Sequence, residues 1–113
     1  MATKSAASFW PVLVTLPAEI DVANADNVRE QIAAAALKPG VTVIIADMTA
    51  TTFCDSTGIS ALLQVRRQAA RNGAELRLLR PSRNFTRILK LLGADRFLMV
   101  CESLEEAMMP SPP

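Results

Sequence analysis

Histidine is absent from the 113 residues. That excludes Ser-His-Asp and Cys-His catalysis within one chain, and the mixed His/Cys zinc sites as well. Only two cysteines occur, Cys54 and Cys101, at a spacing that suits no metal site. Both read as buried thiols in a reducing compartment rather than as a disulfide. Aromatic residues make up 4% of the chain, so the core must be built from Leu, Ile, Val and Ala. No aromatics alternate with basic residues to form a surface for stacking bases. No apolar run approaches the ~18 residues that cross a membrane.

Charge of one sign is also missing. Lys plus Arg is 12 and Asp plus Glu is 11, a net charge of +1, which gives no general attraction to nucleic acid or to an anionic membrane. One stretch stands apart: "RLLRPSRNFTRILK" carries Arg77, Arg80, Arg83, Arg87 and Lys90. It reads as a solvated surface around a strand and a helix in preference to a phosphate-binding patch.

What is present suits one compact domain. A chain of this length buries roughly two-thirds of the surface its unfolded form exposes, without disulfides or metal. Half the residues are hydrophobic, which argues against disorder. The N-terminus loosely imitates a cleavable signal, with Lys4 before "SFWPVLVTLPA". Pro11 and Pro17 interrupt that run, however, and Glu19 and Asp21 precede the small residues. A strand and a cytoplasmic location are expected instead.

Strands and helices alternate along the chain. "FWPVLVTL" reads as a strand with Pro11 near an edge, and "AEID" continues it or forms a second short one. Asn24 can cap a helix in which Val28, Ile32 and Ala35 share a face, ended by "KPG". "VTVIIAD" is a β-branched run suited to a sheet covered on both faces. The loop "MTATTFCD" leads to a helix with Ile59, Leu62, Leu63 and Ala69 or Ala70 on one stripe, terminated by Gly73. "AELRLLRP" is the next strand. Ser82 caps a helix burying Phe85, Ile88, Leu89 and Leu92, and Gly93 closes it. "RFLMVC" is the last strand, and Ser103 and Glu106 form a capping box for a final short helix. The expectation is a small α/β domain with a core over about residues 9–108 and a frayed tail over 109–113.

The chemistry concentrates in "DSTG", residues 55–58, at the end of a core strand where a helix begins. A helix start presents unpaired N–H groups and partial positive charge, favouring an oxygen ligand or a phosphate. Enzymatic readings fail on spacing. An aspartic protease needs D-T-G twice, a nucleophile elbow needs G-x-S-x-G with a histidine, and a P-loop needs its own lysine. Cys54 has no evident base. No enzyme, cofactor or metal site is expected. What stays open is whether Asp55 or Ser56 merely caps, or whether a hydroxyl beside an uncovered Gly58 is a removable charge on a partner-binding surface.

These segments resemble a known family. "AEID" with "NADNVREQI", "VIIADMTATTFCDSTGISALL", "GAELRLLRPS" and "LLGADRF" are similar to anti-sigma factor antagonists, which are single STAS domains. The resemblance implies a four- or five-stranded mixed sheet with about four helices packed mostly on one side. It also implies a partner switch. Unphosphorylated, the protein binds an anti-sigma factor that is a serine kinase and frees a sigma factor. Phosphorylation of Ser56 breaks the complex, and a phosphatase restores it. Asp21, Asn24, Asp55, Thr57, Gly58 and Ser60 would lie with Ser56 at the partner-binding surface. Thr57, Thr51 and Thr52 could serve as secondary phosphorylation sites. Ala18 replaces the glycine of the family's G-E-[IL]-D segment, and Ser60 stands where the helix often carries glycine. A homodimer is possible, while nucleic acid and membrane insertion are not expected. The alternative within the resemblance is a constitutive STAS subunit of a lipid-transport ATPase or signalling scaffold, without a phosphorylation cycle.

Overall fold

Proline at position 11 has no N–H to give to a ladder, and it opens a strand that borders the sheet on one side only. In the computed structural model, which describes residues 9–110, β1 (Pro11–Thr15) is an edge strand. It is followed by β2 (Glu19–Ile20), α1 (Ala25–Leu37), β3 (Val43–Asp47), β4 (Phe53–Cys54) and α2 (Ser56–Arg71). Then come β5 (Glu75–Leu79), α3 (Arg83–Leu91), a 3-10 turn (Ala94–Arg96), β6 (Met99–Cys101) and α4 (Leu104–Ala107). The main sheet runs β1-β3-β5-β6, and β2 pairs separately with β4. Every one of these pairings is parallel, so no antiparallel strand occurs among the described residues. Of the signal-like N-terminus, Lys4 and Ser8 fall outside those residues, while the run from Phe9 onward is described and holds β1, the strand expected there; the tail beyond Pro110 also lies outside.

The α/β class and the one-sided helix packing are those expected. On one face, Ile44, Ala46, Leu76 and Leu78 meet Val28 and Ile32 of α1, Ile59, Leu62 and Val65 of α2, and Phe85 and Leu89 of α3 in a single core. Each such fully buried aliphatic side chain contributes about 1.5–3 kcal/mol. The end of α2 shows why Gly73 is needed. It sits at φ 76°, its N–H donates to the Ala70 carbonyl at 3.0 Å, and the Ala74 N–H reaches the Ala69 carbonyl at 2.9 Å. This paired closure requires the left-handed conformation that glycine adopts without penalty.

The opposite face is thin. Val43, Ile45, Leu79 and Cys101 are covered by Ala107 of α4, with Phe9 packed alongside. Arg77 lies in the same face, in register between Ile45 and Met99. It is not the solvated residue expected from the sequence: it is 1% exposed. Its guanidinium donates to Glu75 Oε2 at 2.9 Å, to the Ala107 carbonyl at 2.8 Å and to the Met109 carbonyl, and stands 5.7 Å from the Phe9 ring centre. The Met109 carbonyl is thus held to the sheet by Arg77, although its side chain is exposed.

Three further expectations change. Leu92 is exposed, because it is the last residue before the left-handed Gly93 turns the chain away from the core. The last strand shrinks to Met99–Cys101, since residues 94–96 form the 3-10 turn and leave Phe97 half exposed. The loop before α2 contains a strand, β4, which pairs Glu19 with Phe53 and Ile20 with Cys54.

Candidate functional site

The start of α2 is positioned by β4 and β2. The Asp55 backbone N–H donates to the Ile20 carbonyl at 3.1 Å, which fixes the chain just before the helix. Asp55, in extended conformation, is the cap: its Oδ1 accepts the Gly58 N–H at 3.1 Å. Capping of this kind is worth ~1 kcal/mol. Ser56 is then the first helical residue. It is exposed, as is Thr57, and neither hydroxyl makes a hydrogen bond among the described residues. The question left open by the sequence is answered locally: Asp55 caps, and the Ser56 hydroxyl is left over.

Gly58 is not an uncovered surface. It is buried, and a Cβ placed on it would meet Cys54 Sγ at 2.5 Å and Ile20 Cγ2 at 2.8 Å. Its place in the motif follows from close packing of α2 on the β2–β4 pair, so it serves the surface from beneath instead of forming part of it. Cys54, half buried against this helix, has its thiol pushed up to about 12 by burial and then by the Asp55 carboxylate. A thiol held protonated is no nucleophile at neutral pH.

Asp21 and Asn24 stabilise the adjoining turn. Asp21 Oδ1 accepts the Ala23 N–H at 2.9 Å. Asn24 stands at the start of α1 but makes no side-chain cap. Its Oδ1 accepts the Asp21 N–H at 3.0 Å and its Nδ2 donates to the Glu19 carbonyl at 2.7 Å. The expected cap is thus a turn clasp, which holds Asp21 at the end of β2. Ser60 is exposed one helical turn after Ser56, on the same face of α2. Thr51 is 5% exposed and its hydroxyl donates to the Pro17 carbonyl at 2.8 Å, which removes it as an accessible acceptor. Thr52 is exposed and reaches the Ala18 carbonyl at 3.2 Å.

Two apolar residues at this edge went unnoticed in the sequence. Phe53 is 52% exposed in β4, two residues from Asp55, and Val22 is 81% exposed in the turn after β2. Phenylalanine in a two-residue strand of an aromatic-poor chain was the available signal. Among the described residues there is no group of three or more His, Cys, Asp or Glu side chains that could hold a metal. No described helix is long and apolar enough to cross a membrane.

Solved structures share this architecture. SpoIIAA of Bacillus, an anti-sigma factor antagonist, is similar in its unphosphorylated form at a TM-score of 0.69, with 24% identity over 88% of this chain and 86% of that one. An anti-sigma factor antagonist from Mycobacterium paratuberculosis superposes at 0.74, with 20% identity over 86% of this chain and 81% of that one. The murine anion transporter Slc26a9 matches at 0.71 and 22% identity, over 86% of this chain but 17% of the transporter. At these identities the likeness is one of fold. Residues 3–107 match the STAS domain as a sequence family, and the chain belongs to that family.

Proposed function

We propose that the protein is an anti-sigma factor antagonist that works by partner switching at the start of α2. Unphosphorylated, it binds an anti-sigma factor carrying serine kinase activity and thereby frees a sigma factor. Phosphorylation of Ser56 ends the complex and a phosphatase resets it, with all steps in the cytoplasm and no chemistry performed by this chain. Asp21, Asp55, Thr57 and Ser60, with Phe53 and Val22 beside them, form the contact surface.

The observation that carries this reading is the division of labour between Asp55 and Ser56. The carboxylate already satisfies the cap, so the exposed Ser56 hydroxyl is structurally unengaged. A phosphate there adds about −1.5 to −2 charges at a helix N-terminus that tolerates an anion, so the fold survives modification. The partner meets a changed surface beside the Asp55 and Asp21 carboxylates. Like-charge contact at an interface costs several kcal/mol, and 1.4 kcal/mol is tenfold in affinity. One phosphoryl group is sufficient to release a complex. That SpoIIAA has been solved both unphosphorylated and phosphorylated supports a fold that accommodates both states.

The test is binding to the anti-sigma kinase together with phosphosite mapping by mass spectrometry in growing and starved cells. Ser56→Ala should retain binding, and Ser56→Asp should weaken it by at least about tenfold. Equal binding by the two variants would defeat the switch. The fold shared with Slc26a9 and with a sulfate transporter family protein from Wolinella succinogenes keeps a second reading in view, a STAS subunit bound constitutively to a transporter. Ser56 unmodified in every condition, with a transporter ATPase co-purifying, would favour it.

A further inference from the structure

The near-zero net charge conceals a segregation. Up to residue 60, acidic residues outnumber basic ones six to three; between residues 61 and 98, basic residues outnumber acidic ones nine to two. The acidic part holds the Ser56 edge. The basic part comprises the body of α2, β5, α3 and the 3-10 turn. In α3, the buried Phe85 and Leu89 fix the inward side, so Arg83, Arg87, Lys90 and Leu91 lie together on the outward side.

At the end of that helix the chain turns at Gly93, and Phe97 stands 49% exposed between two guanidinium groups. Arg66 of α2 lies 5.5 Å from the ring centre and Arg96 lies 5.6 Å from it. Neither makes an ion pair among the described residues, where Arg29–Asp26 and Arg77–Glu75 are the pairs formed. Two like charges gathered at one ring repel each other, and the ring face offsets only part of that. An anion would complete the arrangement. Beside it, Leu91 is 74% and Leu92 61% exposed.

We infer that this flank is a peripheral docking surface for an anionic phospholipid bilayer. Arg66, Arg83, Arg87, Lys90 and Arg96 face the lipid phosphates, while Leu91, Leu92 and Phe97 enter the headgroup boundary. Cations interspersed with protruding apolar side chains are the composition that the interface of an anionic bilayer selects. Adjacent leucines this exposed present most of their surface to the outside, which fits a bilayer better than an acidic peptide seeking a groove. A groove of about 320 Å³ does exist, but on the other flank, between the end of β1 and α1, lined by Asn24, Asn27 and Gln31. Docking here needs no membrane-crossing helix, and it is independent of the reading of Ser56.

The experiment is co-sedimentation of the full chain with vesicles of phosphatidylcholine mixed with phosphatidylglycerol, against vesicles of phosphatidylcholine alone. Binding should be confined to the anionic vesicles at low salt, and be lost near ~1 M salt, where screening acts within ~3 Å. The triple variant Arg83→Gln, Arg87→Gln, Arg96→Gln should weaken partitioning by at least about tenfold. Leu91→Gln with Leu92→Gln should weaken it several-fold. Circular dichroism melts show whether each variant is folded, and should the charge variant unfold, the exposed leucine pair decides. Absence of binding, equal binding to both vesicle types, or unchanged binding by the variants overturns the inference. So does capture of an acidic peptide or nucleic acid with no affinity for vesicles.

Discussion

The two faces of the sheet are closed by different means. Three helices cover one face with a continuous aliphatic core, in which Ile44, Leu62, Leu78 and Leu89 have no exposed surface. The other face is covered by a helix of four residues, and its central side chain is an arginine. The first face is held by area, through many weak contacts that depend little on direction. The second is held by a few directed bonds from Arg77 to two backbone carbonyls and to Glu75. Such a closure is specific, and it fails abruptly when the donor is removed.

Truncation in the first face should have the largest effect. Leu62→Ala removes a side chain with no exposed surface and leaves a cavity; about 3–5 kcal/mol of stability should be lost in urea unfolding. A loss below ~1 kcal/mol would show that the helices relax to fill the space. Next comes Arg77→Met, which keeps the length but removes the donors. It should cost about 2–3 kcal/mol, because the buried Ala107 carbonyl and the part-buried Met109 carbonyl lose their donor. The loss should be local, with hydrogen exchange rising over residues 104–109 while α1 and α2 stay protected. Uniform loss of protection would mean that the two faces are not separable. The smallest effect is expected at Gly58→Ala, where two terms oppose. Alanine improves helix propensity by about 1 kcal/mol. Against that, the new methyl group meets Cys54 Sγ and Ile20 Cγ2 inside contact distance, and overpacking costs about 1–3 kcal/mol. A branched Ile20 cannot swing aside, so a net loss of ~1–2 kcal/mol should appear as a lower Tm. A raised Tm would show that the packing beneath Ser56 is looser than it looks.

The same contrast explains what could be read from the sequence. Helices α1 to α3 were visible because their buried residues recur at helical spacing, and Ser82 and Ser103 cap as their positions indicate, each accepting a backbone N–H at 3.1 Å. In β5 the alternation of Glu75, Leu76, Arg77 and Leu78 correctly separates the two faces. It cannot reveal that α4, some 30 residues on, covers the polar one. The second short strand offered at "AEID" is β2, whereas β4, two residues long and too short for any period, exists only by pairing with it. Asn24 has the chemistry of a cap and spends it on Asp21 and Glu19, a choice made by the preceding turn. Gly58 is the most instructive case. A glycine in a sequence says that a side chain is missing, but not whether water, a partner or Cys54 occupies the space.

The backbone around Asp55 is fixed twice, by Ile20 on one side and by the capped helix on the other. Ser56 is therefore displayed as part of a surface, in helical geometry, with neighbours drawn from β2 as well as from its own segment. Under the proposed switch, a kinase acting on Ser56 would meet a conformational epitope and not only a linear motif. A synthetic decapeptide copied from residues 51–60 would carry every letter of the site and lack its shape. If the switch operates as proposed, its fidelity would reside in the folded state itself: a chain that has not yet folded, or has lost its fold, would offer such a kinase no substrate.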